Sequence, residues 1–362
     1  MRILIFNWRD ITHPWAGGAE LNTQEQAKRW AAQGHKVTLV CGSYAGCKKH
    51  ELIDGVHVVR VGGRFTLYPF AAWYYLTTCA FKYDFVIDVE NGIPFFTPLF
   101  SLKPKLMIIH HVHGKEIFDK ELSKFVSWLP NVMETYFMPW VYKHTQIIAV
   151  SETTRDGLLG IGVKPEQISI VHNGLNHALY LPGKNKTKVP SVLYLGRVMT
   201  YKRIDLLIRA VAEIQKTIPD VQLDIAGSGE DESRLKELAK QLNVNVTFHG
   251  FTSEEQKVKL MQQAWVFGMP SMKEGWGLTV LEANACGTPA VAFNVAGLNV
   301  AIKNNESGFL VETQEEFTQK ILDLLKDKVT REKLSNGAVK WASKFSWDRT
   351  ADETMEIIKE IS

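Results

Sequence analysis

The chain has 362 residues, 45% of them hydrophobic, which is enough to bury sizeable cores and to form two domains. Its 42 basic and 39 acidic side chains leave a formal net charge of only +3, so nothing in the balance indicates a nucleic-acid partner, whereas an anionic small ligand or an anionic membrane surface suits it equally. The four cysteines, Cys41, Cys47, Cys79 and Cys286, show neither metal-ligand nor disulfide spacing, and the opening Met-Arg-Ile-Leu-Ile-Phe-Asn is too short for a signal peptide; a reducing, cytoplasmic setting is expected.

Arg2 to Phe6 reads as a buried strand, followed by a loop rich in Trp, His, Pro and Gly that ends in Gly17-Gly18. A helical pattern from Ala19 to Gln33 stops at Gly34, and Lys36 to Val40 is the next strand, giving a βαβ opening without Gly-x-Gly-x-x-Gly. Val56 to Val61 is a further strand. The run from Phe65 to Phe81 carries no charge, but Pro69 and three threonines interrupt it and it falls short of a membrane span. Asp84 to Val89 and Lys105 to Ile109 are strands, the first bearing Asp88 and Glu90 at its end, the second followed by His110, His111 and His113. Ligands of parallel sheets sit outside the carboxyl ends of strands, where these groups fall. A zinc site at the histidines lacks a Cys or carboxylate at ligand spacing. Between Phe118 and Lys143, Phe125, Trp128, Tyr136, Phe137, Trp140 and Tyr142 alternate with Lys124, Lys143 and His144, a face suited either to a lipid interface or to the core packing of a helix pair.

Ile147 to Val150 and Ile168 to Val171 complete a first domain, residues 1–174, and residues 175–190, rich in lysine and broken by prolines, read as a linker. A second α/β unit, 191–345, opens with Ser191 to Leu195, then Gly196-Arg197 and Tyr201-Lys202-Arg203 before a helix Asp205–Thr217. Val221 to Ala226 leads into Gly227-Ser228-Gly229, the next strand ends at Phe248-His249-Gly250-Phe251, and Ser253-Glu-Glu-Gln256 is a capping box. Trp265 to Met269 is a strand stopped by Pro270; Gly275 and Gly277 flank Trp276 in a turn, and a helix runs from Leu278 toward Gly287. Glu274 then lies in the loop before that helix and Glu282 about one turn inside it, both open to one cleft. The helix start with its unpaired N–H groups suits a phosphate, whereas the two carboxylates suit hydroxyls; a ligand with phosphates and sugars fits both. A last helix, 346–362, starts at Phe345-Ser-Trp-Asp.

Glu274-Gly-Trp-Gly-Leu-Thr-Val-Leu-Glu282, followed by Ala-Asn-Ala-Cys-Gly-Thr-Pro, resembles the Glu-x7-Glu signature of the retaining GT-B glycosyltransferases of family 4, and the likeness extends over nearly the whole chain. The resemblance implies two Rossmann-like domains facing across a cleft, the first for the acceptor and the second for a nucleotide-sugar donor, with the last helix crossing back onto the first. It also implies roles. Arg197 and Lys202 hold the departing diphosphate with the backbone near Leu278 and Thr279. Glu274 and the backbone after it, at Gly275, Trp276 and Gly277, hold the donor sugar, and Glu282 the ribose. Gly196, Gly250 and Phe251 adjoin the nucleotide, and Gly17 and Gly18 approach the diphosphate. A histidine after the Lys105–Ile109 strand lies beside the reacting sugar; His110 matches best, six positions after Pro104, with His111 and His113 as competitors. Arg203 stands where the family commonly has glycine, and the family's frequent acidic residue after Gly297-Leu298 is missing.

The expected activity is transfer of a hexose, with retention, from a UDP- or GDP-sugar to a sugar or lipid-linked hydroxyl, in cell-surface polysaccharide or glycolipid synthesis. No cofactor or metal is expected, since the residues around Glu274 supply a metal-independent hold on the diphosphate; the carboxylates of Asp88 and Glu90 are read as an ordinary strand end. A peripheral contact of the first domain with an anionic membrane is the further expectation. The rivals are a nucleotide-sugar 2-epimerase of the same architecture and a silent nucleotide-sugar binder.

Overall fold

Short strands that are apolar on both faces can be satisfied only inside a sheet covered on both sides, and parallel pairing with helical crossovers supplies that cover. The computed structural model describes every residue except 65, 113 and 115–123, and for 124–127 the backbone course alone. Contacts divide the chain into two units, Met1–Gly174 with Trp347–Ser362, and Leu175–Ser346.

The first unit holds an eight-stranded sheet in the order β3-β4-β2-β1-β5-β6-β7-β8. These are β1 (Arg2–Phe6), β2 (Lys36–Gly42), β3 (His50–Ile53), β4 (Val56–Val61), β5 (Phe85–Glu90), β6 (Lys105–Ile109), β7 (Gln146–Ala149) and β8 (Ile168–Ile170). All neighbours are parallel except β3 and β4, which form a hairpin through Asp54 and Gly55, both at positive φ. The Asp-Gly pair is the residue choice such a two-residue turn demands. The helix Gly18–Ala32 puts Ala27 and Trp30 into the core and closes at Gly34, where φ is +90°. The last helix, Trp347–Glu360, lays Ala351, Met355 and Ile358 on the same core, and Trp30 Nε1 donates to Ala351 O at 3.0 Å. Its i, i+4, i+7 spacing makes one apolar stripe, and the first unit supplies the matching face.

The uncharged run forms a helix, Leu67–Tyr74, continued by a π-helical turn, Tyr75–Cys79. Leu67, Ala71, Tyr75 and Cys79 face inward, whereas Phe70, Trp73 and Leu76 are exposed. No helix among the described residues is long and apolar enough to cross a membrane.

The second unit is a six-stranded, wholly parallel sheet in the order β11-β10-β9-β12-β13-β14. Its strands are β9 (Ser191–Leu195), β10 (Gln222–Ala226), β11 (Val246–Gly250), β12 (Val266–Met269), β13 (Ala290–Phe293) and β14 (Gly308–Val311). In order of sequence this is 3-2-1-4-5-6, the dinucleotide-fold arrangement, reached without its glycine fingerprint. The segment read as a linker is not free chain. Leu175 and Tyr180 are buried in the second core, Thr187 N donates to Gln263 O at 3.0 Å, and Trp265 Nε1 donates to Thr187 O at 2.9 Å. Its lysines and prolines suggest solvent, but Leu175 and Tyr180 gain more from burial.

Candidate functional site

In the second sheet the strand order reverses between β9 and β12, so the loops following these two strands flank the crevice at that point. The loop after β9 carries Gly196, Arg197 and Lys202. Tyr194 OH donates to Arg197 O at 2.9 Å, and Arg197 Nη2 donates to Tyr201 OH at 2.7 Å, leaving the exposed guanidinium with further donors. A Cβ on Gly227 would stand 1.9 Å from Gly196 O, and one on Gly229 2.1 Å from Val198 O. These two glycines let the β10 turn lie against the Arg197 loop, and Gly196 N and Val198 N donate to it at 3.0 Å each. Arg203 sits at φ +51°, a left-handed conformation glycine adopts without cost, which explains why glycine suits this position.

The loop after β12 carries Glu274 to meet Lys202. Lys202 Nζ lies 2.5 Å from Glu274 Oε1, which also accepts from Ser271 Oγ at 2.8 Å, and Met272 N donates to Tyr201 O at 3.1 Å to fasten the loops together. The side chains of Lys202 and Glu274 are 11% and 15% exposed. Glu274 N donates to Ala296 O, and a Cβ on Gly297 would fall 2.2 Å from Glu274 O, so the approach of these loops requires glycine. Gly277, at φ +74°, turns the chain into the helix Leu278–Ala285. The N–H groups of Leu278 and Thr279, in its first turn, have no intrahelical acceptor and form the positive end of its dipole. Gly250, at φ +63°, ends β11 and presents Phe251, which is 88% exposed.

The Trp276 ring is buried, edge-on to Phe345 at 5.4 Å, because a large indole stabilises most when packed, so only the backbone at 275–277 can face a ligand. One expectation changes: Glu282 is not open to a cleft. It is 2% exposed, with Lys257 Nζ 2.9 Å from its Oε2, while Tyr180 OH donates to Glu254 Oε2 at 2.8 Å beside it. Burial pushes the Glu282 carboxyl above its usual range; Lys257 and Tyr180 pull it back. Lys257, Tyr180 and Ser271 escaped the sequence reading. Lys257 did leave a signal, a cation one turn before the buried Met261 on the same helix, Glu254–Gln263.

In the first unit His110 follows the last residue of β6 and is 6% exposed, with burial holding it down at about 4, so it is a neutral imidazole. His111 is half-buried, and His113 lies outside the described residues. Gly17 caps the helix Gly18–Ala32, donating its N–H to Glu20 Oε2 at 2.7 Å, and a Cβ on Gly18 would meet nothing within 4 Å. The carboxylates of Asp88 and Glu90 hold the following loop. Asp88 accepts from Tyr142 OH, Phe95 N and Thr97 N, and Glu90 from Gly92 N. Of the aromatic stretch 118–143, Trp128, Tyr136 and Trp140 are exposed and Tyr142 is buried; Phe118 is outside the described residues, and of 124–127 only the backbone is described.

Residues 16–179 match the family model described as Glycosyltransferase Family 4, and residues 182–341 match Glycosyl transferases group 1. The chain belongs to the GT-B glycosyltransferases. An uncharacterized glycosyltransferase of Methanocaldococcus jannaschii is 28% identical to this glycosyltransferase over 99% of this chain and 98% of its own. A D-inositol 3-phosphate glycosyltransferase of Corynebacterium aurimucosum is 30% identical over 58% of this chain and 55% of its own, so the match spans about half of that relative. Among solved structures, Anabaena HepE in complex with UDP-glucose superposes with a TM-score of 0.79 at 18% identity, over 99% of this chain and all of its own.

Proposed function

We propose that this glycosyltransferase moves a hexose, with retention, from a UDP- or GDP-sugar to a sugar or lipid-linked hydroxyl. The observation that carries the reading is the meeting of Arg197, Lys202 and Glu274 on two loops at the switch point of the second sheet, beside the start of the helix Leu278–Ala285. An ammonium has three donors, and Glu274 takes one; the others suit the diphosphate, so Lys202 bridges the carboxylate that holds sugar hydroxyls and the phosphates it would otherwise repel. Arg197 and the N–H groups of Leu278 and Thr279 stabilise the charge that grows on the leaving oxygen, without a metal ion. Phe251 offers a stacking face for the base.

The neutral His110 donates or accepts a hydrogen bond at the reacting sugar, and Gly17 and Gly18 leave room for the diphosphate. The bond from the anomeric carbon to phosphate oxygen breaks while the acceptor oxygen bonds the same face, and the acceptor proton passes to the departing phosphate. We further propose that the enzyme works at the cytoplasmic face of a membrane in polysaccharide or glycolipid synthesis. Exposed Phe70, Trp73, Leu76 and Phe81 beside Lys82, and Trp128 and Trp140 near Lys143, suit an anionic lipid interface.

The test is binding of UDP, GDP, ADP and NAD by thermal shift, followed by product analysis with the sugar of the donor that binds. One nucleoside diphosphate should stabilise the chain, Arg197→Ala should abolish the shift, and the product should keep the donor's anomeric configuration. An inverted product, a trapped glycosyl–enzyme adduct, or stabilisation by NAD alone overturns the reading.

A further inference from the structure

Two tyrosines serve the loop after β9, and they use their hydroxyls in opposite senses. The buried Tyr194 spends its proton on Arg197 O, its OH donating at 2.9 Å, whereas Tyr201 OH accepts from Arg197 Nη2 at 2.7 Å. We propose that Tyr201 donates its own O–H to the diphosphate of the donor and stabilises that group as it leaves; this rests on the transferase reading above.

A phenol carries one proton and can accept a hydrogen bond while it donates another. Among the described residues Tyr201 OH meets no acceptor for that proton, since the bond with Arg197 uses its oxygen alone. A guanidinium that donates to the phenol draws density from the oxygen and makes its O–H the better donor, so part of the charge of Arg197 reaches an anion through Tyr201. The ring adds to this, with Lys202 Nζ 5.1 Å and Arg197 Cζ 5.9 Å from its centroid, both within cation–π range. One side chain thus adjoins both cations that the transferase reading gives to the diphosphate.

Its backbone is held on two loops. Thr200–Lys202 is a single 3-10 turn, closed by Lys202 N donating to Met199 O at 2.9 Å and Arg203 N to Thr200 O at 3.0 Å. Tyr201 O in turn accepts from Met272 N at 3.1 Å, on the loop that brings Glu274. A half-buried ring fixed in this way loses little freedom when a ligand arrives. The hydroxyl then adds a preorganised donor to the N–H groups of Leu278 and Thr279, at the end of a side chain that two cations polarise. Tyr201 keeps its proton throughout. The acceptor's proton goes to phosphate, and the bond from Tyr201 strengthens as charge grows on the leaving oxygen.

Because UDP or GDP is itself the leaving group, its affinity reads this contact without any acceptor. Calorimetric titration with each compares the parent chain, Tyr201→Phe, and a chain with Tyr201 replaced by 3-fluorotyrosine, at pH 6.5, below the ionisation of the fluorophenol. Tyr201→Phe keeps the ring and removes only the hydroxyl. It should bind the diphosphate about tenfold or more weakly, the share of one hydrogen bond to a charged group, with the melting temperature unchanged. The fluorinated chain separates contact from support. Fluorine weakens the oxygen as an acceptor and strengthens the O–H as a donor, so a phenol bonded to phosphate should bind more tightly than the parent, whereas one that only steadies Arg197 binds more weakly. Unchanged affinity in Tyr201→Phe, or a fluorinated chain that binds no tighter than the parent, overturns the proposal; if Tyr201→Phe unfolds, the fluorinated chain decides alone. A parent chain that binds neither UDP nor GDP sinks the transferase reading itself, whereas a parent that binds while Tyr201→Phe binds equally well sinks the role of Tyr201 alone.

Discussion

Lys257→Met isolates what the buried Glu282 needs. With Glu282 2% exposed and Lys257 Nζ 2.9 Å away, removing the cation strands a carboxylate in the second core. Breaking a buried pair from one side costs about 3–5 kcal/mol. For a unit of this size that is roughly 6–20 °C in melting temperature. The loss should depend on pH. Burial already raises the Glu282 carboxyl, and losing the pull of Lys257 raises it further. An acid whose folded pKa exceeds its unfolded value is most stabilising below the unfolded value, about 4.3, and loses that contribution as pH rises through the folded one. Lys257→Met should therefore melt closer to the parent at pH 5 than at pH 8, and adding Glu282→Gln should recover most of the difference at pH 8. The assay is thermal unfolding of the full chain by circular dichroism at both pH values. A single variant that melts within about 3 °C of the parent at pH 8, where about 6 °C is the least expected, refutes the reasoning. So does an equal loss at both pH values.

Gly227→Ala should cost about 2–4 kcal/mol, from a positive-φ backbone and a Cβ placed 1.9 Å from Gly196 O, and should weaken nucleoside diphosphate binding by displacing the Arg197 loop, read by unfolding and thermal shift. Because burial holds His110 at about 4, its stabilising contribution is complete above about 6.5 and is lost as pH falls toward 4; His110→Asn should flatten that slope, on the order of 3 kcal/mol, in acid-unfolding curves. Trp73→Ser with Phe81→Ser should reduce sedimentation with anionic vesicles severalfold and leave nucleotide binding unchanged; equal sedimentation would remove this helix from the lipid contact.

Most of this fold is legible because its signals are local. Arg2–Phe6, Lys105–Ile109 and Ser191–Leu195 are continuous apolar runs, and the helix from Leu278 is bracketed by Gly277 and Gly287. The β3 strand was missed although Asp54-Gly55 marks its turn, since His50–Ile53 is an edge strand with a mixed burial pattern and weak periodicity. Of the site, the loops and their charged residues were visible, but the side-chain directions were not. Glu282 looks like a ligand group by motif, and only the packing around it shows that the carboxylate has gone to Lys257. Lys257 lies on a different helix, 25 positions earlier in the chain than Glu282, and no local pattern joins them. The residues 175–190 misled for the opposite reason: their composition is that of a linker, and two side chains, Leu175 and Tyr180, decide otherwise.

The two units place their chemistry by one topological rule, applied to different residue types. In each sheet a first strand lies between neighbours whose connections run in opposite directions, β1 between β2 and β5, β9 between β10 and β12. The loop after such a strand cannot be covered by a crossover helix from either side, so its side chains stay available. After β9 that loop carries Arg197 and Lys202; after β1 it carries Trp8, Arg9, His13 and Trp15. In the second unit the cation meets a carboxylate, Glu274, which makes a site for a ligand with both phosphate and hydroxyls. In the first, the loop's acid goes into the core instead: Asp10 pairs with Arg60 at 2.7 Å, both side chains buried, and anchors the loop to β4.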